Sequence, residues 1–158
     1  MDFFGHSLGG AAAAQACSLD PRCVGAIDGD GDLFGSVLAT GLRKPLLFLG
    51  PRETLQHEPP LRGEIAEVWR GVPAGPGHVL TAAGTGHFSF TDRAVYVWVI
   101  SRLGGLDAGA AGGARAVSIT RACIGAFFDT YLLGRPSPLL SSPTPTDPEM
   151  QAQAVTRA

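Results

Sequence analysis

Charge is scarce in this chain: 16% of its 158 residues are Asp, Glu, Lys or Arg, against about 25% in an ordinary globular protein. The net charge is −2 and no basic run appears, which excludes the clustered cationic face that nucleic-acid binding needs. No apolar stretch approaches the roughly 20 residues of a membrane-spanning helix; the longest, Ala94 to Ile100, is far shorter. Three cysteines, Cys17, Cys23 and Cys123, are too few for a disulfide framework. Cys17 and Cys23 are close enough in sequence to bridge, but the pattern reads as two buried thiols. The charged and apolar regions of a secretory signal are also lacking, and the sequence names no compartment.

What is present suits one domain with a real core, since 45% of the residues are hydrophobic and the length is ordinary for a single domain. Gly10 to Leu19 is Ala-rich and helix-forming, and Asp20-Pro21 stops it. Cys23 to Ile27 is a short apolar strand running into the acidic, Gly-rich stretch Asp28-Gly29-Asp30-Gly31-Asp32. Pro45 to Gly50 and His78 to Gly84 read as further strands, and Leu61 to Arg70 has helical spacing. Arg93 to Leu103 fits a strand by propensity and a helix by position. Val117 to Leu133 carries one apolar helical stripe, ended by Gly134 and Pro136. Residues 135–158 are rich in Pro, Ser and Thr and read as a disordered tail behind a domain over residues 1–134. Short apolar strands alternating with helices predict an α/β fold with a parallel sheet and flanking helices. No internal repeat or domain linker interrupts it.

The most specific local signal is Gly5-His6-Ser7-Leu8-Gly9, which fits G-x-S-x-G. This pattern turns a strand sharply into a helix and exposes a serine hydroxyl as nucleophile. Gly5 and Gly9 would permit the strained turn, and Gly10 and Ala11 would keep the helix close to the sheet. The Leu8 N–H, at the helix start, could donate to an oxyanion. The bland alternative is a Gly-rich helix start with an ordinary serine. The apolar run before the motif and the Ala-rich run after it favour the catalytic reading.

A serine nucleophile needs a base. His6 adjoins Ser7 and points elsewhere in such a turn, which gives it a supporting role. His57 and His78 have polar, Pro- or Gly-flanked surroundings and read as solvent-facing. His87 follows a strand directly, in "AAGTGHFSFTD", and satisfies the chain order serine, acid, histidine. The acid stays open among Asp28, Asp30, Asp32 and Glu53. A calcium loop starting at Asp28 would need Gly and Glu where Leu33 and Ala39 stand, and the glycine spacing does not fit a dinucleotide loop.

Four ordered blocks, "GHSLGGAAAAQACSLDPRCVGAIDGDGDLFG", "KPLLFLG", "GTGHFSFTD" and "AFFDTYLLG", resemble the platelet-activating-factor acetylhydrolase-like branch of the α/β-hydrolases. The resemblance runs from Gly5 to Gly134. It implies a metal-free and cofactor-free serine esterase acting on short-acyl, phospholipid-like or other small esters, such as 1-alkyl-2-acetylglycerophosphocholine. It implies Asp30 as the acid, on the loop after the strand that follows the elbow. Gly29 stands where the family tends to have an apolar residue, which keeps Asp28 in view, and many other α/β-hydrolases place the acid where Glu53 lies. Such enzymes carry about as much chain again before the elbow, including a loop with the second oxyanion donor. On that resemblance the sequence reads as the C-terminal half of a hydrolase, with its first strand, Met1 to Phe4, at an exposed sheet edge that favours self-association. A non-catalytic remnant and an assembly module are the competing readings.

Overall fold

The computed structural model describes residues 1–52, 75–96, 113–141 and 147–154. The helix expected over Leu61 to Arg70, most of the Arg93 to Leu103 stretch, Glu53 and His57 lie outside those residues. Where the ambiguous stretch is described, 93–96, it is helical.

Five strands form one sheet in the order β1 (Asp2–His6), β2 (Gly25–Gly29), β3 (Leu46–Pro51), β4 (Gly77–Ala82) and β5 (Met150–Ala154). The first four are parallel, and β5 runs antiparallel to β4. Among the described residues β1 stands at the open end of the sheet. Every residue of β2 and β3 is buried, as strands covered on both faces must be. Alternation along them splits the core in two. Ala26, Leu46, Phe48 and Val79 pack with Ala14 and Cys17 of α1 (Leu8–Leu19) and with Val37 of α2 (Val37–Thr40). Ile27, Leu47, Leu49 and Leu80 pack on the opposite face with Ile119, Cys123 and Phe127 of α3 (Ala114–Tyr131). No described helix is long and apolar enough to cross a membrane.

The small residues of α1 explain its closeness to the sheet, because Ala11 and Ala14 are fully buried and leave no bulk between backbones. Its C-terminal carbonyls are satisfied from outside. The Lys44 ammonium donates to the carbonyls of Cys17 at 2.9 Å and Asp20 at 2.5 Å, a cation where the helix dipole is negative.

Three expectations need correction. Cys17 and Cys23 form a disulfide rather than standing as two thiols. A tight turn, closed by the Cys23 N–H on the Asp20 carbonyl at 3.0 Å, sends the chain straight back and brings their Cα atoms within 5.2 Å. The region beyond Arg135 is not a structureless tail where it is described. Pro138–Ser141 forms a short helix, α4, and Met150–Ala154 completes the sheet. No periodicity announces these elements because tertiary contacts hold them. Arg115 of α3 bonds Asp147 at 2.7 Å and Glu149 at 2.6 and 3.1 Å, and Met150 is buried beside Cys123. Finally, His78 does not face solvent. The Tyr131 hydroxyl donates to its Nε2 at 2.6 Å, and its Nδ1–H donates to the Leu140 carbonyl at 3.1 Å. Burial holds its pKa below the ordinary histidine value, which suits a ring that must keep one nitrogen as acceptor.

The disulfide closes a loop with a sequence separation of 6, which removes about 2 kcal/mol of unfolded-state freedom. The double variant Cys17→Ala/Cys23→Ala should therefore melt about 4–8 °C below the parent in circular dichroism. A reductant should lower the parent toward the same value and leave the variant unmoved.

Candidate active site

Three segments meet at the C-terminal ends of the parallel strands, where ligand sites of open α/β sheets gather. The first is the turn from β1 into α1. Ser7 has φ 56° and ψ −127°, a strained conformation for a residue with a side chain. Backbone bonds hold it there. The Ser7 N–H donates to the Gly29 carbonyl at 2.8 Å, and the Ser7 carbonyl accepts from Gly10 at 2.9 Å and Ala11 at 3.2 Å. Leu8 follows as the first helical residue, so its N–H has no partner within the helix and is free to meet a negative oxygen.

The glycines around this turn are not equivalent. A methyl group at Gly5 would overlap the Gly9 carbonyl, and one at Gly10 would overlap Asp28 Oδ1. A methyl group at Gly9 would meet nothing within 4 Å among the described residues. Close approach accounts for Gly5 and Gly10, whereas Gly9, expected to permit the strained turn, has no such neighbour.

The second segment is the acidic loop after β2. Asp30 takes the left-handed conformation, φ 54°, which aspartate tolerates better than most residues. Its N–H donates to the Leu49 carbonyl at 2.9 Å. Its neighbours point elsewhere. Asp32 is exposed, whereas Asp28 is fully buried and directs Oδ1 toward Gly10 at the start of α1.

The third segment follows β4. Thr85 donates from its hydroxyl to the Ala82 carbonyl at 2.8 Å, and the Gly86 N–H donates to the Ser89 hydroxyl at 2.9 Å. These bonds, with Thr85 and Ser89 both buried, set a 3₁₀ turn over His87–Phe90. His87 Nδ1–H donates to Asp30 Oδ2 at 2.7 Å, with the Asp30 side chain 8% exposed and that of His87 42% exposed. The other ring nitrogen, Nε2, is left without that bond and free to accept a proton.

His6 joins the first and third segments. Its Nε2–H donates to the His87 carbonyl at 2.7 Å, and the two rings lie 4.5 Å apart. Burial lowers the His6 pKa, and His87 and Arg93 lower it further against the opposing bond to the His87 carbonyl. Burial and the neighbouring cationic groups favour a neutral ring, which still donates Nε2–H to the carbonyl. The supporting role expected of His6 thus has a specific content that no sequence signal supplied. Ser7, adjacent to His6, is brought to the same end of the sheet as the Asp30–His87 pair. Glu53 and His57 lie outside the described residues. Among those described, no group of three or more His, Cys, Asp or Glu is placed to hold a metal ion. A cleft of about 350 Å³ opens beside His6, between Phe4 of β1 and Val117 and Ile124 of α3.

Neither a protein-family model nor a curated protein matches the chain. A solved structure does: ferulic acid esterase from Streptomyces cinnamoneus is 36% identical, with a TM-score of 0.81. The fold is that of an α/β-hydrolase. The similarity covers 96% of this chain and 46% of the esterase, so the chain spans less than half the length of that enzyme.

Substitution tests the packing of the α/β-hydrolase turn. Gly9→Ala should leave the melting temperature within about 2 °C or raise it, since alanine favours a helix by roughly 1 kcal/mol over glycine. Gly5→Ala and Gly10→Ala should each destabilise by about 1–3 kcal/mol or more through overpacking. Thermal denaturation of the three variants checks the order.

Proposed function

We propose that this chain carries the catalytic triad of a serine carboxylic-ester hydrolase, with Ser7 as nucleophile, His87 as general base and acid, and Asp30 as the orienting carboxylate. The observation that carries the reading is the 2.7 Å Asp30–His87 bond at the strand ends where the strained Ser7 turn also lies. In this reading Ser7 Oγ attacks the ester carbonyl while its proton passes to His87 Nε2. The C–O bond to the alcohol then breaks, and the same proton leaves with the alcohol. Water repeats the cycle on the acyl-serine and releases the acid. Asp30 fixes the tautomer and stabilises the imidazolium, and the Leu8 N–H donates to the oxyanion.

Ser7→Ala should abolish covalent labelling by a fluorophosphonate and lower turnover of p-nitrophenyl acetate by roughly 10⁴-fold or more. Asp30→Asn should cost about 10⁴ in turnover, with Asp28→Asn and Glu53→Gln costing far less. Labelling that survives Ser7→Ala would end the reading, and Glu53→Gln as the most damaging acid variant would move the acid. A second reading, an assembly module of a hydrolase, draws on the position of β1 at the end of the described sheet, whose unpaired backbone invites another chain. A wild-type chain that does not label and has a dimeric mass by light scattering would favour that module.

Two lines of support bear on the substrate. The sequence resemblance to the platelet-activating-factor acetylhydrolase-like branch favours small acyl groups on phospholipid-like alcohols, and the ferulic acid esterase similarity favours an aromatic acyl group. Both favour compact acyl chains. Acetyl and butyryl esters should turn over faster than palmitoyl esters without added metal, and a feruloyl ester beside an acetylated glycerophospholipid decides between the two classes. A preference for palmitoyl esters would contradict both.

A further inference from the structure

Asp28 takes no part in the proposed chemistry, yet it lies beneath it. It sits on β2 between Gly5 of β1 and Phe48 of β3 in register, and none of its surface is exposed. Its Oδ1 accepts the Gly31 N–H at 2.8 Å, and its Oδ2 is buried with no hydrogen-bond partner among the described residues. Backbone closes around it from two sides. A methyl group at Gly10 would overlap Oδ1, and one at Gly31 would overlap both Oδ1 and the Ser7 carbonyl. One carboxyl group therefore separates the nucleophile turn, the first turn of α1 and the loop that carries Asp30.

We propose that Asp28 is a positioning residue: its carboxyl group sets the spacing between the Ser7 turn and the Asp30 loop, and makes that spacing sensitive to pH. The proposal rests on the assignment of Ser7, Asp30 and His87 above. A buried carboxylate with one unpartnered oxygen is costly, so the group stays protonated unless forced to ionise. Burial raises it against the lowering effect of the Gly31 N–H, the charges of Asp30 and Asp32 add to the rise, and together they push it up to about 8. Of the elements packed around it, β1 brings Gly5, α1 Gly10 and β3 Phe48, none of which titrates. The charged groups facing it are Asp30 and Asp32 of its own loop, with His87 reached through Asp30.

The linkage has a definite sign. In the unfolded chain the carboxyl ionises near 3.8 and in the folded chain near 8, so the folded state binds one more proton in that window. Stability from this group is whole below the lower value and is lost as pH rises through the window, levelling off above about 8. Above that point the folded protein carries a new negative charge between its nucleophile turn and its acid loop.

The test compares the wild-type chain with Asp28→Asn, a neutral group of the same shape, and Asp28→Leu. Asp28→Asn should keep kcat/KM on p-nitrophenyl acetate within a few-fold at pH 7, whereas Asp28→Leu, which cannot hold Gly31, should lose it. Between pH 7.5 and 9.5 the wild type should lose roughly 25-fold in kcat/KM as a group of this pKa ionises, and Asp28→Asn should lose less than twofold. Melting temperatures measured from pH 4.5 to 9 should fall in the wild type and stay flatter in Asp28→Asn. In wild-type protein labelled with ¹³C at aspartate carboxyl carbons, one resonance should titrate near pH 8 and be absent from Asp28→Asn. Parallel stability profiles, or no aspartate titrating above about pH 6, would overturn the proposal. Should Asp28→Asn fail to fold, the wild-type titration decides. The carboxyl titration and melting profile do not depend on esterase activity, so they stand apart from labelling that survives Ser7→Ala, which would remove the triad assignment instead.

Discussion

The Ser7 N–H to Gly29 carbonyl bond, 2.8 Å long, ties the end of β1 to the end of β2 and leaves both chains to diverge from that point. Ser7 then turns through a strained conformation into α1, while Asp30, also at positive φ, leads β2 into its loop. A second bond of the same kind, from the Asp30 N–H to the Leu49 carbonyl at 2.9 Å, ties β2 to β3. Neighbouring strand ends are thus pinned to one another by backbone alone. The side chains of Ser7, Asp30 and His87 inherit their places from the sheet rather than from flexible loops, which is how a strained residue stays in place.

Around this frame the packing is built from what is small. Gly5, Gly10 and Gly31 are sites where a single methyl group would strike the backbone or the Asp28 carboxyl, and the alanines of α1 let the helix lie against the strands. His6 and His87 then divide two duties that one histidine could not perform. His6, kept neutral by burial, fastens the His87 backbone with its Nε2–H. His87 keeps its own Nε2 available because Asp30 occupies Nδ1. The far end of the sheet is secured differently, by Arg115 across Asp147 and Glu149 and by the His78–Tyr131 bond. These links, with the His78 bond to the Leu140 carbonyl, place β5 and α4 beside β4, away from β1, the open end among the described residues.

The elements legible in advance were those whose signal is local. α1 begins two residues before its expected start, α3 three before, and the parallel strands shift by one or two positions. Such shifts are expected where strand ends are set by pairing partners. β5 was illegible because a polar strand on a sheet edge needs one buried anchor, Met150, and an arginine from another helix, neither of which leaves a period. The Cys17–Cys23 pairing is not legible in the sequence because spacing alone does not say whether the intervening turn reverses the chain. The half-buried, bonded state of His78 depends on a tyrosine 53 residues away.

The sequence by itself determined the tight turn at Ser7, the Ala-rich helix behind it, the short buried strands and the chain order of Ser7, Asp30 and His87. These follow from backbone preference and from periodic burial, which act over a few residues and are written in consecutive letters. Only the tertiary structure shows which of three aspartates two residues apart bonds His87. Residues two apart in an extended segment share one face, but Asp30 leaves the strand in a left-handed conformation and breaks that repeat. Its carboxyl therefore reaches His87 while that of Asp28 stays under α1. That outcome depends on the distance between β2 and β4, two strands apart in the sheet, and no property of the stretch from Asp28 to Asp32 contains it.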